Sequence, residues 1–212
     1  MTEPSRRRAL QAMTLGAVHA ILRPPTAWAG EADVEHRPHF EVPFLAEDPT
    51  NVPVRVSVPH PMDRDHFVRS IDLVLESDPV PHKGTFRFTP RNGRASVAFP
   101  MRSGVGGVLR ATVECSRHGR FTGERELRVA GDGCAGTQGI PVRDRLGRPR
   151  LGRLQPTAVG QTVEVIAHIE HDSDTGLSLR GGRYVRVRPE FFVKQLRIYL
   201  DRDLVTGCPT GC

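Results

Sequence analysis

Val52-Pro53-Val54-Arg55-Val56-Ser57-Val58 places a valine at every second position. Successive side chains of an extended chain point to opposite faces, so the four valines share one apolar face and Pro53, Arg55 and Ser57 take the other. The period continues outward from this stretch. Ile71, Leu73 and Leu75 form a second face, Phe86 and Phe88 a third, and Ala95, Val97 and Phe99 a fourth. Leu109, Ala111, Val113 and Cys115 make a fifth, Leu127 and Val129 a sixth, and a short strand near Val42 to Leu45 precedes them all. Seven short strands predict an all-β fold, an immunoglobulin-like β-sandwich. Turn signals fall at Asp78-Pro79, His82-Lys83-Gly84, Pro90-Arg91-Asn92-Gly93 and Arg117-His118-Gly119.

The chain opens with Ser5-Arg6-Arg7-Arg8, continues with a weakly apolar run from Ala9 to Leu22, and reaches Ala27-Trp28-Ala29 before Glu31. Paired arginines, a modest apolar run and a small-residue site in that order predict a twin-arginine-type signal over residues 1–29, cleaved after Ala29. The mature protein is then expected in the periplasm. No later segment approaches the ~18 apolar residues of a membrane span. A net charge of +6 is spread along the chain and only 6% of residues are aromatic. No basic patch is interleaved with aromatics, which argues against nucleic-acid binding.

Gly131-Asp132-Gly133-Cys134-Ala135-Gly136 follows the last of the seven strands and isolates a thiol among small residues. Cys115, by contrast, sits among strand residues and reads as core filling. Residues 137–155 carry Arg143, Arg145, Arg148, Arg150 and Arg153 without a sustained period and read as a linker. Alternation resumes with Val163, Val165, Ala167 and Ile169, then Val185 and Val187, then Phe191 to Leu200, over a partial second β-sandwich at 156–205. Residues 206–212 read as a tail outside it.

Several of these segments together resemble a known family. Asn51-Val52-Pro53-Val54 leading to His60-Pro61-Met62, then Asp78-Pro79-x-Pro81, then Gly133-Cys134 after a terminal strand, resemble SoxY, the sulfur-carrier subunit of periplasmic thiosulfate oxidation. Ala158-Val159-Gly160-Gln161-x-Val163, His171-Asp172-Ser173-Asp174-Thr175-Gly176 and Pro189-Glu190-Phe191-Phe192 are similar to the start of SoxZ. The chain is identified as a member of the fused SoxYZ-like carrier group, often linked with quinoprotein dehydrogenases. The resemblance implies a carrier and not an enzyme. A SoxY-like domain over 30–136 holds the sulfur intermediate covalently on Cys134, and Gly131, Gly133 and Gly136 give the arm its freedom. Partners are then periplasmic sulfur-oxidation enzymes or a quinoprotein dehydrogenase. The alternative is an accessory or binding module for such a dehydrogenase, without sulfur carriage. Two departures stand out: the cysteine is internal, and Asp132 and Ala135 replace glycines of the family arm.

No cofactor, catalytic residue or metal site is assigned. Cys115 and Cys134 are placed poorly for a disulfide, while Cys208 and Cys212 are close enough in sequence to pair. Their spacing without a histidine is a weak metal signal. His168 and His171, with Asp172 and Asp174, form the other metal candidate, but a spacing of three on a strand points the two rings to opposite faces. His60 is noted only for its place before Pro61-Met62.

Overall fold

The computed structural model describes residues 35–130, 150–153, 158, 160–171 and 173–208. The expected signal segment, 1–29, lies outside them. The described strands are β1 (His39–Glu41), β2 (Leu45–Ala46), β3 (Val52–Val58), β4 (Val68–Leu75), β5 (His82–Phe88), β6 (Ala95–Met101), β7 (Gly107–Cys115) and β8 (Gly119–Val129). After them come β9 (Arg150–Arg153), β10 (Val165–His168), β11 (Leu177–Arg180), β12 (Arg183–Arg186), β13 (Leu196–Leu200) and β14 (Asp203–Cys208). Among the described residues no helix is long and apolar enough to cross a membrane.

The protein is all-β, as the alternation predicts. One sheet has the order β1-β3-β6 and the other β13-β14-β5-β4-β7-β8-β2. All four valines of β3 are buried, and they meet Ile71, Leu73 and Leu75 of β4, Phe86 and Phe88 of β5, and Leu109, Ala111 and Val113 of β7 in one core. Each such side chain contributes about 1.5–3 kcal/mol on burial, so the inward faces of these strands dominate the stability of the sandwich. Exposed partners on the outer faces, such as Arg110 bonded to Glu124 across β7 and β8, contribute far less.

One expected turn is a strand instead. His82-Lys83-Gly84 lies in β5, paired with β4 across an irregularity between Leu73 and Val74. The reason is a partner outside the turn signal itself: Lys83 Nζ donates to Asp78 Oδ1 at 2.8 Å with both side chains wholly buried. Lys83 also donates to the Arg102 carbonyl at 3.0 Å. Asp78 Oδ2 accepts from the Gly104 amide at 2.6 Å and the Ser103 hydroxyl at 3.4 Å.

The C-terminal strands also depart from expectation. β14 pairs antiparallel with β5, Thr206 against Phe88 and Gly207 against Arg87, and β13 pairs with β14. Thr89 Oγ1 donates to the Val205 carbonyl at 3.0 Å, and Thr206 Oγ1 to the Arg87 carbonyl at 2.6 Å. The expected boundary between 205 and 206 therefore falls inside a strand, and Cys208 is buried in the core of the first sandwich. Burial pushes its thiol up to about 12, so this sulfur is protonated and unreactive at neutral pH. Within the expected linker, β9 pairs antiparallel with β10, Arg153 against Val165.

Candidate metal centre

Strand direction gathers five chain segments at one pole of the sandwich. β3 ends there at Val58, two residues before His60. β4 starts there at Val68, two residues after His66. Val68 pairs with Cys115 at the end of β7, and Cys115 pairs with Gly119 at the start of β8. β1 runs antiparallel to β3 with His39 opposite Ser57, so the segment carrying His36 enters at the same pole.

Two glycines make the approach possible. Gly119 has φ +88°, a conformation that suits glycine, and it closes the tight turn that swings His118 back toward Cys115. A Cβ at Gly123 would lie 2.6 Å from Pro38 Cγ and 3.3 Å from Phe40 Cε2. The bare glycine therefore lets the 36–40 segment lie across β8, where Phe121 stacks on His36 at 4.2 Å between ring centres and 18° between planes. Gly123→Ala is expected to cost about 1–3 kcal/mol through overpacking, read as a lowered denaturation midpoint. A midpoint equal to wild type would show that the contact relaxes freely.

The result is a cluster of His36, His60, His66, His118 and Cys115 whose donor atoms all lie within 4.8 Å of one another. The four imidazoles form a closed ring of neighbours. Centroid separations are 4.5 Å for His36 and His60, 4.4 Å for His60 and His66, 4.6 Å for His66 and His118, and 5.0 Å for His118 and His36. The cross-ring pair His36 and His66 is farther apart at 6.1 Å, as the diagonal of a near-square must be. His60 Nε2 and His66 Nε2 are 3.1 Å apart, and His36 Nε2 and His118 Nδ1 3.2 Å. Cys115 Sγ is 3.5 Å from His60 Nε2. Nitrogen faces nitrogen in both pairs, and the tautomers decide which ring donates and which accepts.

That arrangement also has the spacing that coordination of one ion requires. Metal bonds of about 2.0–2.1 Å to nitrogen and 2.3 Å to sulfur put donors on opposite sides of one ion about 4.4 Å apart, close to the observed spread. The surroundings prepare the ligating forms. His60 Nδ1 donates to the Pro61 carbonyl at 2.5 Å, which leaves Nε2 as the free lone pair facing the cluster. Burial lowers the His60 pKa, with His36 and His66 adding to the effect against the Pro61 hydrogen bond. Loss of hydration likewise lowers that of His118, helped by His66, His36 and Arg117. Both shifts favour the neutral ring that binds metals. The Arg117 amide donates to Cys115 Sγ at 3.5 Å. His36, His60 and Cys115 are buried, His66 is half-buried, and His118 is exposed at the mouth.

The residues singled out in the sequence distribute unevenly over this picture. Cys115 is buried as expected, but it faces histidine and not only core. His60 is in the cluster. Cys134, Gly131, Gly133, Gly136 and Cys212 lie outside the described residues. His168 lies on β10, and His171 stacks on Phe191 at 4.8 Å. Asp174 pairs with Arg188 at 2.9 Å. Among the described residues these do not assemble into a ligand group. His36 and His66 carry no assigned role in the sequence and His118 only that of a turn residue, the local signals for the cluster being Cys115-x2-His118 and His60-x5-His66.

A curated protein of Methanocaldococcus jannaschii named "Putative superoxide reductase" is 26% identical over 95 residues, 44% of this chain and 82% of that protein. Among solved structures, "Superoxide reductase (Neelaredoxin) from Ignicoccus hospitalis" is 32% identical, with 45% of this chain and 81% of that chain covered and a TM-score of 0.41. The corresponding protein from Archaeoglobus fulgidus in the reduced form is 27% identical, with 44% and 90% covered and a TM-score of 0.37. Residues 26–134, just over half of the chain, match the family Sulfur oxidation protein SoxY, and the chain belongs to that family.

Proposed function

We propose that His36, His60, His66, His118 and Cys115 hold one iron ion and that the protein reduces superoxide to hydrogen peroxide. The observation that carries this reading is the convergence of five donor atoms within 4.8 Å. Donor chemistry favours iron. Imidazole and thiolate together suit zinc, copper and iron, but zinc in a structural site takes four tetrahedral ligands, whereas four nitrogens in a ring plus a thiolate are the donor types of thiolate-ligated haem iron. The likeness to the Methanocaldococcus protein supports the choice of reaction. When bound, ferrous iron supplies the one electron that, with two protons, turns superoxide into hydrogen peroxide, leaving ferric iron for an external one-electron donor to reduce.

The chain's own residues then have separate tasks. Pro61 fixes the His60 tautomer through its carbonyl. Phe121 covers one face of His36 and keeps water from that side. The exposed edge at His118 leaves a path for a small anion.

Full-chain protein reconstituted anaerobically with Fe2+ tests the reading. One equivalent of bound Fe2+, consumption of superoxide and one peroxide per iron without evolved dioxygen are expected, and Cys134→Ser should behave as wild type. Protein that takes up no Fe2+, or that leaves superoxide to decay at its spontaneous rate, would overturn it.

A second reading is favoured by one specific observation, that the family match extends to residue 134. In it Cys134 carries a sulfur intermediate for periplasmic sulfur-oxidation enzymes, or the protein serves a quinoprotein dehydrogenase as an accessory. The SoxZ-like second half and the twin-arginine signal belong to this reading. The two need not compete, since they use different sulfurs. β8 leads from the cluster at Gly119 to Val129 at the opposite pole, where the Ala130 amide bonds the Ala46 carbonyl.

A further inference from the structure

We infer that Ser116 and Arg117, the two residues between the ligands Cys115 and His118, are positioning residues that clasp the segment carrying His66 and so hold the two ligand loops in register. This rests on the metal-centre reading above. Ligands on separate loops bind one ion well only if the loops are fixed relative to each other before the ion arrives. His66 stands just ahead of β4, while Cys115 and His118 flank the turn between β7 and β8.

Beyond the β4–β7 ladder that begins at Val68 and Cys115 and the Arg69–Glu114 ion pair alongside it, the gap is closed through residues 116 and 117. The Ser116 amide donates to the Phe67 carbonyl at 2.9 Å, and the Phe67 amide returns a bond to Ser116 Oγ at 3.0 Å. Ser116 Oγ donates in turn to the Asp65 carbonyl at 3.2 Å. Arg117 Nε donates to the same carbonyl at 3.1 Å, and its Nη2 pairs closely with the Asp65 carboxylate. Asp65 and Phe67 are the immediate neighbours of His66, so both sides of that ligand are tied to the short span between Cys115 and His118. The Arg117 side chain and Asp65 carboxylate are exposed, and exposed ion pairs add little to overall stability. A role in fixing ligands therefore separates from a role in holding the fold.

Titration of metal-free full-chain protein with Co2+ alone reads this directly, because visible bands of cobalt bound through thiolate report ligand geometry. Ser116→Ala and Arg117→Ala together are expected to weaken Co2+ binding about 10–100-fold and to alter the visible spectrum. The metal-free melting temperature should stay near wild type. Arg117→Lys, which keeps the charge opposite Asp65 but loses the Nε bond, should recover part of the affinity when paired with Ser116. Wild-type affinity and spectrum in the double variant would overturn the clasp. So would a loss of affinity matched by a fall in metal-free melting temperature and not relieved by Arg117→Lys. Wild-type protein that binds no Co2+ would instead remove the metal-centre reading, and the clasp with it.

Discussion

Cys115→Ser is expected to keep its fold and lose superoxide reduction by at least the ~100-fold that removal of a ligand's supporting partner can cost. The substitution changes little in volume at a buried position at the end of β7, with Val113 and Ala111 still packed in the core. What changes is the donor. A thiolate is soft and electron-rich and pushes density onto the metal, whereas a serine hydroxyl stays protonated at neutral pH and competes poorly for a place beside four imidazoles. Some metal should remain on the histidines. The two measurements are iron content after reconstitution and the rate of superoxide loss in rapid mixing. A serine variant that reduces superoxide at the wild-type rate would exclude Cys115 from the reacting centre.

Lys83→Met is expected to destabilise the protein by about 3–5 kcal/mol, since it strands a buried carboxylate. Asp78 and Lys83 have no exposed side-chain surface, and their 2.8 Å contact is the core of a knot that also binds the Arg102 carbonyl and the Gly104 amide. Removing both charges in Asp78→Asn/Lys83→Met should recover a substantial part of the loss, because the uncompensated charge carries most of the penalty. Denaturant unfolding of wild type, single and double variants measures it. A single variant within ~1 kcal/mol of wild type, the range of an exposed pair, would mean that water reaches Asp78. The knot sits beyond the end of β4 opposite His66, so folded Lys83→Met should still bind metal normally.

The fold was largely legible because burial on one side of a strand imposes period two, which β3 obeys throughout, β7 from Leu109 to Cys115, and β4 from Ile71 to Leu75 after an irregularity between Val68 and Ser70. Legibility failed where a tertiary partner overrides local chemistry. Lys83 and Gly84 look like turn residues until Asp78 supplies the buried charge that lets a lysine face inward. The tail failed for a related reason: nothing near Val205 announces that its neighbours will bond to Arg87 and Thr89. The candidate metal centre was half visible. Alternation correctly turned Cys115 inward, and for that very reason it passed as core. Its partners are drawn from four segments between His36 and His118, and no local window contains more than two of them. Cys134 stands out in the sequence because its neighbours include glycines, a local signal, whereas a site assembled by topology leaves only short pairs such as Cys115 and His118.

The pairing of β14 with β5 sets an order of assembly during synthesis. All five donors and the strands that place them are complete once Val129 has left the ribosome, so the proposed pocket can form while later residues are still being made. The edge of β5 at Arg87 and Phe88 has no such early partner on that side, since Thr206 follows Arg87 by 119 residues in the chain. An open strand edge invites pairing with other chains. The proposed pocket is thus complete before this edge is covered, and the time between those two events is set by how quickly β14 is made.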